Sequence, residues 1–335
     1  MIFLVMHLDA IDEGDETAAV KDEHIITFGN KPAIFKHKEI VDLSQSRKDI
    51  ELAQAEWDQL GSNEGTFIPT CKTEPISVDE VLNFFRSANM SQFLKCIKPV
   101  KQRKRIEALK HWIVGPPKLN LSLISERNLF FAIALCPFDS SEEIHIRVLQ
   151  TLYRTLTNSN KDCPRYGKHW EDVGFQGIDP GTDLRGVGFL GLIHLLSFAL
   201  NPATADLAKS ISVLAKNEKQ NFPFCAMGIN ITRIVVESMR EEVLNRECNR
   251  CMDVFKVTND FYAGIFLRLY VIWYQQKKTI MDSGFVIKDL TEIAKKHSSV
   301  ILKELSNYLK VNQVPDKTSN VAHGFAGAGD NIATV

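Results

Sequence analysis

The run LRGVGFLGLIHLLSFAL, Leu184–Leu200, holds 11 aliphatic or aromatic residues among 17, spread around a helical wheel. A helix that is apolar on most sides has to be buried, so the rest of the chain must supply enough helices to enclose it. With 335 residues, 44% of them apolar, the material for a large core is present, in one domain with extensions or in two. Alternating strand patterns are almost absent, and no repeat of solenoid length is found. The reading is all-α.

Helical periodicity and stop signals place the elements. Ser77 with Glu80 three residues on forms a capping box before VLNFFRSA. MSQFLKCI continues, and the element within KPVKQRKRIEALKHWIV ends at Pro116 and Pro117. SLISERNLFFAIALC is helical up to Pro137, and SSEEIHIRVLQTLYRTLT carries acids in its first turn and Arg154 near its end, as the helix dipole prefers. Further helices are expected over Leu184–Leu200, Thr204–Asn217, Phe224–Asn245 and Asn259–Lys278. A turn at Asp282–Gly284 and two amphipathic helices follow. The expected organisation is a polar, partly disordered region over 1–75, a helical lead-in over 76–140, a main domain over 141–311 and a flexible tail over 312–335.

Residues 158–183 break this pattern. NSNKDCPRYGKHWEDVGFQGIDPGTD is rich in Gly, Pro, Asn and Asp and has no period. A long loop of this kind inside a helical domain is usually functional or disordered, and Trp170 and Phe175 argue for order. It leads into Gly186, Gly188 and Gly191, whose G-x-G-x-x-G spacing matches a dinucleotide loop. That chemistry needs a buried strand before the glycines, within a βαβ unit. Here a turn-rich loop precedes them, so they read as packing residues that admit another backbone, and no cofactor is expected. Arg185 fits less easily. With Thr182 or Asp183 as N-cap it falls in the first turn, where the dipole disfavours a cation. It either pairs with Asp179 or Asp183, or projects into solvent as a functional group.

The other signals are weaker. The net charge of −1 sets up no global field for nucleic acid or an anionic membrane, and no aromatic-interleaved basic stretch points to nucleic acid. Lys98, Lys101, Arg103, Lys104 and Arg105 form a basic cluster that reads first as a solvated helix face, and otherwise as a contact for acidic lipid headgroups or an acidic protein face. Cys248 and Cys251 form C-x-x-C, but zinc needs two more ligands, and Cys163 and His169 qualify only by chance folding, so no metal is expected. Seven cysteines, an odd number, fit free thiols in a reducing compartment. The apolar start MIFLVMHLDA lacks a basic flank, and no charge-free apolar run of membrane length occurs. A cytoplasmic protein is the expectation.

The stretch HWEDVGFQGIDPGTDLRGVGFLGLIHLL, residues 169–196, resembles the central signature of the ELMO domain family: a tryptophan, a glycine-phenylalanine-glutamine, a proline with Thr-Asp, and an arginine-glycine pair opening an apolar helix. The resemblance extends through NFPFCAMGINITRIVVESMREEVLNRECNR and DSGFVIKDLTEIAKKH and reaches back to LKHWIVGPPKL and DEVLNFF, so it covers most of residues 75–310. It implies a multi-helix orthogonal bundle. It implies also a regulator acting in trans, a GTPase-activating protein for Arf-family or Arf-like small GTPases, not itself an enzyme, with Arg185 as the arginine finger. Trp170, Phe175, Gln176, Pro180, Thr182, Asp183 and Gly186 would then form the supporting loop. Gln176 would orient the attacking water or, as the commoner role of a loop amide, bond the loop's backbone. The phenylalanine and methionine usual beside the arginine are Leu184 and Val187 here, which implies weak activity or another GTPase. The alternative is a non-catalytic GTPase-binding or actin-cytoskeleton adaptor with the same fold. Actin-associated partners, and a place in actin-rich projections such as stereocilia, are implied by the resemblance alone.

Overall fold

The apolar run Leu184–Leu200 lies in the core of the described residues. In the computed structural model, which describes residues 72–312, helices follow one another as α1 (Val78–Ser87), α2 (Ser91–Leu94), α3 (Arg105–Val114), α4 (Ile124–Leu135), α5 (Glu143–Thr157), α6 (His169–Asp172), α7 (Pro180–Asp183), α8 (Leu190–Leu200), α9 (Ala205–Ala215), α10 (Phe224–Arg240), α11 (Asn245–Cys251), α12 (Val254–Gln275), α13 (Ser283–Lys296) and α14 (Ser298–Asn312). Three short 3₁₀ turns lie between them, and no strand occurs among the described residues. The disorder expected in the first 75 residues and the tail falls almost wholly outside the described residues. Asn312 itself still belongs to α14.

Helix α8 is buried from Leu190 to Ala199 and is enclosed by α1, α4, α5, α9, α10 and α12. One continuous apolar cluster runs around it from Ile76 to Leu305 and includes Trp170, Phe189, Phe261, Phe266 and Trp273. Some of the polar groups taken inside are paired. His194 Nδ1 lies 3.1 Å from Thr232 Oγ1, and burial pushes the imidazole down to about 3, so it is neutral. Trp273 Nε1 donates to Gln220 O and Gln220 Nε2 to Trp273 O, both at 2.8 Å.

Several boundaries differ from the sequence expectation, each for a local reason. The central helix begins at Leu190, not Leu184, because Gly188 sits at φ +57°, which ends any right-handed helix. Residues Leu184–Gly186 instead form a 3₁₀ turn. The helix expected over Phe224–Asn245 stops at Arg240, where Glu242 turns to φ 67°, and resumes as α11, which carries the C-x-x-C pair. The helix expected from Asn259 starts earlier, where Asp253 accepts from the Lys256 backbone N–H at 2.7 Å. The expected turn at Asp282–Gly284 instead continues from the 3₁₀ turn Ile280–Asp282 into α13. At α1 only half of the capping box forms. Ser77 Oγ accepts from the Glu80 N–H at 3.2 Å, while the Glu80 carboxylate pairs with Arg147.

Candidate functional site

The loop between α5 and α8 is built around its tryptophan. Trp170 is fully buried, meets the rings of Tyr153 and Phe175 edge to face, and donates from Nε1 to Arg165 O at 3.0 Å. The Phe175 N–H returns to Trp170 O at 3.0 Å. Next to it, Gly174 stands at φ +89°, where an added Cβ would lie 2.2 Å from the Phe224 nitrogen. That close approach lets the Ala226 N–H bond Gly174 O at 2.8 Å and ties the loop to the start of α10. At the loop's base, the Gln150 amide exchanges two hydrogen bonds with the Cys163 backbone, at 2.7 and 2.9 Å. A segment with no hydrophobic period is thus held by specific polar bonds around one aromatic anchor.

The last part of the loop is α7. Asp179 caps it by accepting from the Gly181 N–H at 2.8 Å, Pro180 occupies the first turn and is buried, and Thr182 Oγ1 donates to Asp179 O at 2.8 Å. Asp183 does not act as a cap. Its Oδ2 accepts from the Gln176 backbone N–H at 2.6 Å and ties the two ends of the signature together. The Gln176 contribution to loop order is therefore its peptide N–H; its half-buried side-chain amide makes no hydrogen bond among the described residues.

Arg185 lies on the 3₁₀ turn after α7, between Leu184 and Val187, both buried. The segment Pro180–Gly186 meets α8 at a bend of 109°, so the turn is not the start of the buried helix, and the dipole conflict expected for Arg185 does not arise. Neither expected ion pair forms either. The Arg185 side chain is exposed and has no hydrogen bond or salt bridge among the described residues. Asp179 is taken by Arg165, which donates from Nη2 to Asp179 Oδ1 at 2.8 Å and from Nε to Ser140 Oγ at 3.0 Å. The Arg165 guanidinium also lies 4.6 Å from the Phe138 ring centre and 4.5 Å from that of Tyr166. Sequence reasoning missed Arg165; its only signal was a basic residue beside an aromatic in an ordered loop.

Arg185 forms one lip of a recess of about 180 Å³, with Leu184, Gly186, Leu135, Pro137 and Phe138 among its other walls. The far wall is fixed from two sides. Cys136 O accepts from the Phe189 N–H at 2.7 Å, and the Asp139 N–H donates to His145 Nδ1 at 3.0 Å. Burial pushes His145 down to about 4, so the ring is neutral and that nitrogen is free to accept. Leu135, Tyr166 and Ile178 remain exposed. Among the described residues, the site therefore holds one unpaired guanidinium, Arg185, and one caged guanidinium, Arg165.

Asp183 gives a test of the brace. Burial raises its carboxyl to about 6, against the lowering effect of the Gln176 N–H, and Asp179 raises it further. A carboxyl raised in the folded state favours folding while protonated. That stability is fully present below its unfolded value near 4 and is lost as pH rises through about 6. Asp183→Asn keeps an acceptor oxygen and should flatten the decline between pH 4 and 6, worth on the order of 2 kcal/mol. Urea unfolding at stepped pH measures it, and an unchanged slope would refute the assignment.

The residues proposed as chance zinc ligands have other roles. Cys248 is buried with its thiol pushed up to about 12 by desolvation, and Cys163, likewise at about 12, bonds Gln150. His169 Nε2 lies 2.9 Å from Pro164 O.

A family model described as the ELMO/CED-12 family matches residues 128–287, which include the whole site. The chain is 48% identical over 265 residues to ELMO domain-containing protein 3 of Bos taurus, covering 78% of this chain and 70% of that protein. It is 50% identical over 234 residues to the Mus musculus protein of that name, covering 70% and 61%. Against ELMO domain-containing protein 2 of Bos taurus the identity is 30% over 209 residues, covering 60% and 71%. No solved structure matches the chain. With a family model spanning its central helices and high identity along most of two proteins' length, this chain belongs to the ELMO/CED-12 family.

Proposed function

We propose that this chain is a GTPase-activating protein for an Arf-family or Arf-like small GTPase and supplies Arg185 as a finger in trans. The observation that carries the reading is the unpaired, exposed guanidinium of Arg185 on a turn fixed on both sides by buried residues. A side chain used for packing or pairing would have a partner, as Arg165 has. GTP hydrolysis spreads negative charge over the γ-phosphoryl oxygens and the leaving group, and a planar, permanently charged fork neutralises it. The recess beside Arg185 and the exposed Leu135, Tyr166 and Ile178 offer apolar contact area for the GTPase surface around its nucleotide. Positioning then comes from the chain's own bonds: Asp183 to Gln176 holds the turn, and Trp170 holds the loop beneath it. The choice of Arf-type substrates rests on the resemblance of the signature.

Single-turnover GTP hydrolysis by a panel of Arf and Arf-like GTPases, with the wild type and with Arg185→Ala, tests the reading. Acceleration by the wild type alone supports it. A wild type that accelerates none of them, or a variant as active as the wild type, sinks it. Tight binding of the GTP form with no effect on rate in either protein would identify an adaptor instead.

A further inference from the structure

Helix α3 stands at the surface. Among its described side chains only His111 is half-buried, with Nε2 3.2 Å from Glu242 Oε2. The chain just before it is held to the same turn. The Lys101 N–H donates to Arg240 O at 2.9 Å, Lys101 Nζ pairs with Glu241 at 3.3 Å, and Arg103 pairs with Glu242 at 2.9 Å. The opposite side carries Ile106, Leu109 and Ile113, at i, i+3 and i+7, with 85%, 58% and 66% of their surface exposed; Val114 follows at 77%. A helix that only had to pack would present this stripe to the core. Contiguous apolar stripes on a protein surface mark an interaction site.

The charges say what covers it. Of the five cations in the basic cluster, Lys101 and Arg103 are neutralised by Glu241 and Glu242. Lys98, Lys104 and Arg105 are exposed without an ion pair among the described residues, and Arg105 borders the apolar stripe on the helical wheel. Glu107, the helix's single acid, lies on the other side. An apolar stripe bordered by free cations on an exposed ten-residue helix matches the boundary between lipid headgroups and acyl chains. At about 15 Å the helix is too short to cross a bilayer and long enough to lie in its surface. We infer that α3 is a membrane-surface element that docks this chain on anionic lipid, with Ile106, Leu109 and Ile113 inserted and Lys98, Lys104 and Arg105 at the headgroups. This is independent of the GTPase reading.

Sedimentation of the full chain with phosphatidylcholine vesicles, with and without phosphatidylserine, tests it. The wild type should sediment with the anionic vesicles and stay in solution with phosphatidylcholine alone. Each cation near an anionic leaflet raises partition about fivefold, so Lys98→Glu, Lys104→Glu and Arg105→Glu together should lower it by about a hundredfold or more. Ile106→Ser, Leu109→Ser and Ile113→Ser together should lower it by at least about tenfold. Because all six positions are exposed, circular dichroism melts should match the wild type. Arg185→Ala should bind vesicles as the wild type does, so failure here and failure of the finger reading are separable. A wild type that ignores anionic vesicles, whether because residues 1–71 or a second copy cover the stripe, overturns the proposal. So does a serine variant that binds as well as the wild type.

Discussion

Arg185→Ala should remove about 10³–10⁵-fold of the acceleration of GTP hydrolysis while leaving the fold untouched. The size follows from where the charge acts. A guanidinium brought into the closed, water-poor interface of a GTPase meets charge that develops only in the transition state, so its removal lowers the rate constant at saturating protein far more than it weakens binding. The harmless effect on stability follows from geometry. Arg185 is exposed and bonded to nothing among the described residues, while the turn beneath it is held by buried Leu184 and Val187 and by the Asp183 carboxylate on the Gln176 N–H. Loss of the side chain should change unfolding free energy by no more than about 0.5 kcal/mol. Arg185→Lys keeps the charge without the planar fork and should recover only a small part of the acceleration. Single-turnover kinetics paired with a thermal melt check both halves. A melting temperature several degrees lower for Arg185→Ala would make Arg185 a structural residue and remove the ground for calling it a finger.

What could be read in advance was whatever periodicity encodes. The buried central helix, the helices around it and their proline stops are all visible as apolar spacing, because each element's burial is written along its own length. The misplaced boundaries share a cause that no local pattern holds. Leu184–Leu200 is apolar enough to be one helix, and the break comes at Gly188, whose φ of +57° and close approach to the backbone of Ala134 and Cys136 no apolar spacing marks. The same holds for charge. Asp179 lies nearer to Arg185 in sequence than to Arg165, yet the fold gives it to Arg165, whose guanidinium is held by Ser140 and the Phe138 ring at the start of α7. The basic cluster was legible as a cluster, but not that Glu241 and Glu242 take two of its members, nor that Ile106, Leu109 and Ile113 of α3 stay exposed. Trp170, Phe175 and the arginine itself were found because they belong to a recognisable signature, not because any period marks them.

The three glycines beside Arg185 should separate sharply when each is replaced by alanine. At Gly188 the added Cβ would lie 2.6 Å from Ala134 O, 2.7 Å from Ala134 C and 2.8 Å from Cys136 O, and φ is +57°. These are backbone atoms at the end of α4, so none can swing aside, and the left-handed conformation alone costs an alanine about 1–2 kcal/mol. Gly188→Ala should therefore lose about 4 kcal/mol or more of unfolding free energy. At Gly191 the nearest atoms are side-chain ends, Val187 Cγ2 at 3.0 Å and Leu184 Cδ2 at 3.1 Å, which can yield at a cost of about 1–3 kcal/mol. At Gly186 the nearest is Arg233 Nη2 at 3.6 Å, an ordinary contact, so Gly186→Ala should stay within about 0.5 kcal/mol. Chemical denaturation of the three variants gives the order directly, and equal losses at Gly186 and Gly188 would contradict it. The order also bears on function. Gly188 is the joint at which the turn carrying Arg185 departs from the buried α8 at 109°. Under conditions where Gly188→Ala remains folded, it should lose acceleration of GTP hydrolysis with Arg185 still in place, since the guanidinium is then no longer aimed from a fixed turn. Gly186→Ala, adjacent to the same arginine, should retain it.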